Sequence, residues 1–298
     1  MPAFLTRVTR RPSFGAFTAA VSIAAAAVSS GCINGPAVMT EQAEARRLAS
    51  ELQVSFANAN EAANRAVLAD TDEASVAAAK ESQEDSSAAQ GAVDQLEPHL
   101  KSLGYQDEIS SLQRFRAKFD ECRKLDAEIL PLAVENTNLK AQRLSFGEAQ
   151  ESADAFGAAV DAAAAASRSV DGALQASRAR AAVLAMQVLQ ARHIAEANDP
   201  AMDQMEQQMA TLERNARAAV ERLRAQGGGA AREHESATAA LDRFVSVNQQ
   251  IVQLSRRNTN VRSLALTLGR KRVVAAEAED QLRSLGEALA AHTFQGTR

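Results

Sequence analysis

The chain carries two copies of one pattern. Asn136-Thr137-Asn138-Leu139-Lys140, running on to Leu144-Ser145-Phe146-Gly147, returns as Asn258-Thr259-Asn260-Val261-Arg262, running on to Leu266-Thr267-Leu268-Gly269, every position displaced by 122. Upstream, Asp72 to Leu96 returns as Asp199 to Leu223 at a displacement of 127. The five-residue difference lies after Leu223, beside Gly227-Gly228-Gly229, where a loop tolerates deletion. Repetition at this spacing limits the chain to architectures in which one unit is built twice.

Within each copy the apolar residues recur at helical steps. Val247, Ile251, Leu254, Asn258, Val261, Ala265 and Leu268 form a heptad seam, and so do Leu125, Ile129, Leu132, Asn136, Leu139, Arg143 and Phe146. Met202, Met205 and Met209 continue into Leu212 and Ala216 at the same steps, which makes them core rather than a cofactor stripe. Glycine (14), proline (6) and tyrosine (1) are few and tryptophan is absent, so strand-forming chemistry is scarce. The expected fold is all-α: tandem antiparallel helical bundles of up-down topology, with about seven helices and a long central one.

The helices are predicted at about 40–70, 73–103, 107–145, 148–198, 200–226, 230–267 and 270–293. Gly104 is placed as a C-cap, Asp199-Pro200 as a helix start, and Ser145 with Glu148 as a capping box. The run 148–198 is read as one strut through both bundles, with a bend near Asp171-Gly172 as the alternative. The units are then an export signal over 1–31, a tether over 32–39, a first bundle over 40–168 and a second over 169–298.

Arg7, Arg10 and Arg11 precede an apolar run from Phe14 to Val28, followed by Ser29-Ser30-Gly31-Cys32. Basic, then apolar, then small is the layout of a secretory signal, and about 15 residues is short for a membrane span. The last residues resemble a bacterial lipobox, which implies lipidation of Cys32; Ser29 stands where that pattern has an aliphatic residue. The membrane is therefore an expected partner, on the exported face. Cys122 then remains as a single thiol without a disulfide partner, placed in the third-helix seam as a buried apolar residue.

Catalytic and metal-binding patterns are missing from the sequence. His99, His193, His234 and His292 show no i, i+4 pair, and Glu233-His234-Glu235 sits on an expected polar surface. The glycine triplet follows a helix and lacks the Lys-Ser/Thr ending of a phosphate loop, and no serine lies in a nucleophile elbow. A net charge of −4 without a basic patch argues against nucleic acid. No cofactor and no metal are expected, and the chain is read as not being an enzyme.

The seam asparagines Asn136 and Asn258 carry two readings. Each is a register pin that penalises misaligned packing, the favoured reading, or part of a polar layer lining a ligand cavity. Asn138 and Asn260, two residues on, face elsewhere, toward an interface or water. Ile129-Leu130-Pro131-Leu132-Ala133-Val134-Glu135-Asn136-Thr137-Asn138, with Leu144-Ser145-Phe146-Gly147-Glu148-Ala149, resembles the third-to-fourth helix region of the four-helix-bundle sensor domain of methyl-accepting chemotaxis receptors. The turns at Asp70-Thr71-Asp72 and Asp199-Pro200 are similar to that family's first turn. The resemblance implies a periplasmic bundle that takes small organic acids or amino acids; it carries over no ligand residue, and Arg46, Arg47 and Arg65 on the first helix stand as candidate binding residues apart from it. The chain shows no second membrane-spanning run, linker or signalling hairpin, so the fold carries over without receptor signalling. Expectation therefore divides between a lipid-anchored binding or interaction module, with a small ligand, a protein partner or a homodimer, and a coiled-coil-like structural spacer without a ligand.

Overall fold

The computed structural model describes residues 35–226 and 231–292. The export signal, Cys32 and the glycine triplet at 227–229 lie outside the described residues. Among those described every element is a helix and none is a strand. α1 (Gly35–Leu68) turns at Thr71, whose hydroxyl caps α2 (Asp72–Leu103) by accepting from the Ala74 amide. Gly104 ends α2 at φ 72°, the left-handed C-cap read from the sequence, and α3 (Gln106–Glu135) follows.

The third helix ends ten residues earlier than the periodicity predicts. Asn136 adopts φ 57°, and a short α4 (Thr137–Leu144), a π turn (Ser145–Ala149) and α5 (Gln150–Ser167) follow. The second copy does the same: α8 (Ala231–Arg257) ends at Asn258, φ 55°, then come α9 (Thr259–Leu266), a π turn (Thr267–Lys271) and α10 (Arg272–Ala291). Asparagine is the non-glycine residue that best tolerates this conformation. Each left-handed residue resets the helix phase, so the seam is buried at Ile129 and Ile251, still buried at Asn136 and Asn258, and leaves the core beyond the break. Phe146 is 71% exposed and Leu268 58%. The expected capping box at Ser145 and Glu148 does not form, because the chain passes Ser145 in a π turn without interruption.

The expected strut over 148–198 is broken. Arg168 takes φ 51° and Ser169 caps α6 (Val170–Ala195) through the Gly172 amide at 2.8 Å, three residues before the bend considered at Asp171-Gly172. α7 (Asp199–Ala225) is capped by Asn198 rather than Asp199, with Pro200 in its first turn.

The bundles do not follow the copies. One core is built from α1, α2, α3 and α10, and the other from α5, α6, α7 and α8. Each copy supplies three helices to its own bundle and its fourth to the other, so the boundary expected at 168/169 separates the copies but cuts both cores. The long runs are α3–α4–α5 and α8–α9–α10, which cross at the two left-handed asparagines. Residue by residue the burial of α1 returns in α6 at a displacement of 127: Ala45, Leu52, Phe56 and Ala59 match Gly172, Ala179, Val183 and Met186. The aromatic residues of the first core, Phe56, Phe115 and Phe119, pack with ring centroids 5.4 to 5.8 Å apart. The methionines of α7 are core, as the spacing predicts.

Candidate functional site: the Asn-Thr-Asn clasp and the groove beside it

Where the two long runs cross, Asn136-Thr137-Asn138 faces Asn258-Thr259-Asn260 about a local two-fold axis. The Thr137 amide donates to Thr259 Oγ1 at 3.0 Å and the Thr259 amide to Thr137 Oγ1 at 3.2 Å. The Asn138 amide donates to Asn260 Oδ1 at 3.1 Å, and the Asn260 amide to Asn138 Oδ1 at 3.2 Å. Asn138 Nδ2 donates to Asn258 Oδ1 at 2.8 Å, mirrored by Asn260 Nδ2 and Asn136 Oδ1. The remaining amide donors reach Asp72 Oδ1 (3.1 Å, from Asn136), Ile194 O (2.7 Å, from Asn138) and Glu196 O (2.7 Å, from Asn258). The clasp supplies acceptors to the backbone amides left open after each helix break. Asn136 and Asn258 are therefore hinge residues, cross-linked by hydrogen bonds, and their amides are spent inside the protein. Asn138 and Asn260 bond across the interface, as their offset suggested.

The three candidate arginines lie apart and are engaged. Arg46 Nε donates to Leu289 O at 2.9 Å, tying α1 to the last turn of α10. Arg47 pairs with Glu44 and Glu51 on the exposed side of α1, and Arg65 pairs with Glu81 at 2.7 Å. Cys122 is a buried free thiol; burial, aided by the Asp126 carboxylate, pushes its pKa up to about 12. It is held as an inert thiol.

Two polar layers went unrecognised in the sequence. In the second bundle His193 is fully buried, with Nδ1 2.6 Å from Ser255 Oγ and Nε2 2.9 Å from Glu206 Oε1. Burial acts to raise the Glu206 pKa, but hydrogen bonds from Arg256 and His193 outweigh it and hold the carboxyl below its ordinary value. The trio has the members of a nucleophilic triad without its use, because Ser255 is inaccessible and also bonded to Ile251 O. His234, expected on the surface, is also buried. Among the described residues no cluster of His, Cys, Asp and Glu could hold a metal ion.

The other layer lies in the first bundle, where the buried Lys271 ammonium pairs with Asp126. Burial raises the Asp126 pKa, and Lys271 opposes the rise. The equivalent layer of the second bundle is closed: Ser145 Oγ donates to Gln190 Oε1 and Gln190 Nε2 to Asn248 Oδ1, both at 2.9 Å, and Gln187 bonds Gln150. By the repeat, Gln187 and Gln190 correspond to Asn60 and Ala63. These shorter side chains leave space. A groove of about 380 Å³ runs between α1 and the α9–α10 run, walled by Val67, Leu68, Leu264, Leu268 and Ala275. Asn60 lines it, and its buried Nδ2 has no hydrogen-bond partner among the described residues. A π turn forms part of the wall, a feature frequent at functional sites.

Comparison with family models, curated proteins and solved structures yields no match for this chain. No helix among the described residues is long and apolar enough to cross a membrane.

Proposed function

We propose that this chain is a lipid-anchored binding module of a bacterial cell envelope, tethered at Cys32, which takes a small molecule in the first-bundle groove. The observation that carries the reading is the groove itself. It is of ligand size and mostly apolar, and Asn60 in its lining holds a buried amide Nδ2 with no acceptor among the described residues. The matching position of the second bundle is filled and satisfied. A buried donor without an acceptor costs free energy of about 1–3 kcal/mol, which a ligand oxygen would recover. The chemistry selects a compact apolar body bearing a carboxylate or carbonyl, in keeping with the organic acids that the sensor-domain resemblance implies. The clasp is not part of this site, since its amides are already paired.

The test is thermal denaturation of the chain with straight-chain monocarboxylates from butanoate to decanoate. Ligand binding to the folded state alone raises the melting temperature by mass action, and several degrees are expected at saturation. Ala276→Trp, at an exposed position on the groove wall, abolishes the rise without unfolding the protein. No rise with any member of the series, or an equal rise in the variant, overturns the binding reading and leaves the structural spacer.

A further inference from the structure

α6 carries two apolar faces. One enters the second core. The other follows heptad steps through Val170, Leu174, Ala181, Leu184 and Val188 and is left uncovered, Val170 at 90% and Val188 at 63% exposure. The fold does not require this. At the equivalent positions of α1, displaced by 127, Arg47 stands for Leu174 and Glu61 for Val188, and that helix face is solvated in the ordinary way. Among the described residues only the second copy has a heptad seam with nothing opposite it, and an apolar stripe of this kind marks an interaction surface.

We propose that this face of α6 is the seam of an antiparallel homodimer, α6 pairing with α6 of a second copy of the chain. The register follows from the pattern. A two-fold axis between Ala181 and Leu184 sets each Leu184 against the small Ala181 of the second copy, each Val188 against Ser177, and each Leu174 against Ala191. Large residues thus meet small ones throughout, which lets two helices approach closely. The flanking charges fit the same axis. Asp171 comes beside Arg192 of the second copy, and symmetry makes the pair twice. In the isolated chain Asp171 accepts only uncharged amides, from Gln175 and Gln226 at 3.2 and 2.7 Å, and Arg192 is exposed without an ion-pair partner among the described residues. A parallel pairing would instead bring Asp171 against Asp171 and Arg192 against Arg192. The neighbouring Gly157 and Ala158 on α5, beside Leu184, are small and do not obstruct the approach.

The test is cysteine cross-linking in cells that express the full chain. Ala181→Cys and Leu184→Cys are made in separately tagged copies; both positions are exposed, so folding is preserved. With a mild oxidant, the mixed pair cross-links at least fivefold more than either variant alone, and the wild type, whose Cys122 is buried, gives only the background set by Cys32. Arg192→Asp lowers the mixed yield several-fold, and adding Asp171→Arg to the same chain restores it. Absence of a mixed cross-link overturns the proposal, as does capture of a different protein in its place. A cross-link strongest for Leu184→Cys alone shows parallel pairing and overturns it too. These outcomes are independent of any ligand in the first-bundle groove.

Discussion

Asn258 shows how a residue can be placed correctly in a core while the backbone conformation it holds stays unread. The seam pattern identifies a buried asparagine among apolar neighbours, and buried it is. Its main function is conformational. At φ 55° it holds a backbone shape that costs other L-residues roughly 1–2 kcal/mol, while its side chain binds Asn138 and Glu196. A pure register pin would predict that Asn258→Leu leaves stability unchanged or improves it. The clasp predicts a loss of about 2–4 kcal/mol, from backbone strain together with the donor and acceptor left unpaired. Asn258→Gly, which removes the same bonds but tolerates the conformation, loses about 1 kcal/mol less. Urea unfolding of the three proteins decides the matter. Equal stability of wild type and Asn258→Leu would restore the register pin.

At the scale of elements, helix content and most helix starts were readable because propensity and caps are local properties. Thr71, Gly104 and Pro200 act within a few residues of where they stand. The breaks at Asn136, Arg168 and Asn258 were not readable, since each rests on a positive φ that the surrounding packing stabilises, and nothing local to Arg168 announces one. The polar layer of His193, Glu206 and Ser255 escaped for a related reason. Its members come from α6, α7 and α8 and meet only in the bundle. That layer gives α7 a measurable dependence on acid. Unfolded, Glu206 takes a proton near 4.5; folded, it resists protonation to lower pH. The stability it contributes is therefore fully present above about 4.5 and is lost as pH falls through the lowered value. Melting temperature recorded from pH 6 to pH 3 declines more gently for Glu206→Gln than for wild type. Parallel curves would show that the carboxylate has no such role.

For the molecule as a whole, the two copies were legible from sequence and the route of the chain between them was not. Heptads of the same spacing are satisfied equally well by a helix folding back on its own copy or crossing to the other, and periodicity holds no information on that choice. Of the groove, only its residues were visible in advance. Its cause, Asn60 and Ala63 standing where the other copy has Gln187 and Gln190, becomes evident only when the two bundles are superposed.

The exchange of α5 and α10 has a consequence for how the chain holds together and where it came from. A tandem of separate bundles could lose one half and keep the other; here neither core closes unless both halves are present. Two copies trading an equivalent element about a two-fold axis have the geometry of a domain-swapped dimer whose subunits have been joined end to end. The linker between Ser167 and Val170 would be the joint. Residues 35–168 produced alone should then recover the arrangement by pairing with themselves, Asn136-Thr137-Asn138 of one fragment meeting the same residues of another. Sedimentation equilibrium should find that fragment as a helical dimer that falls apart on Asn138→Ala. A stable monomeric fragment would mean that the fourth helix can fold home, and that the crossing depends on the full-length chain rather than on the repeat.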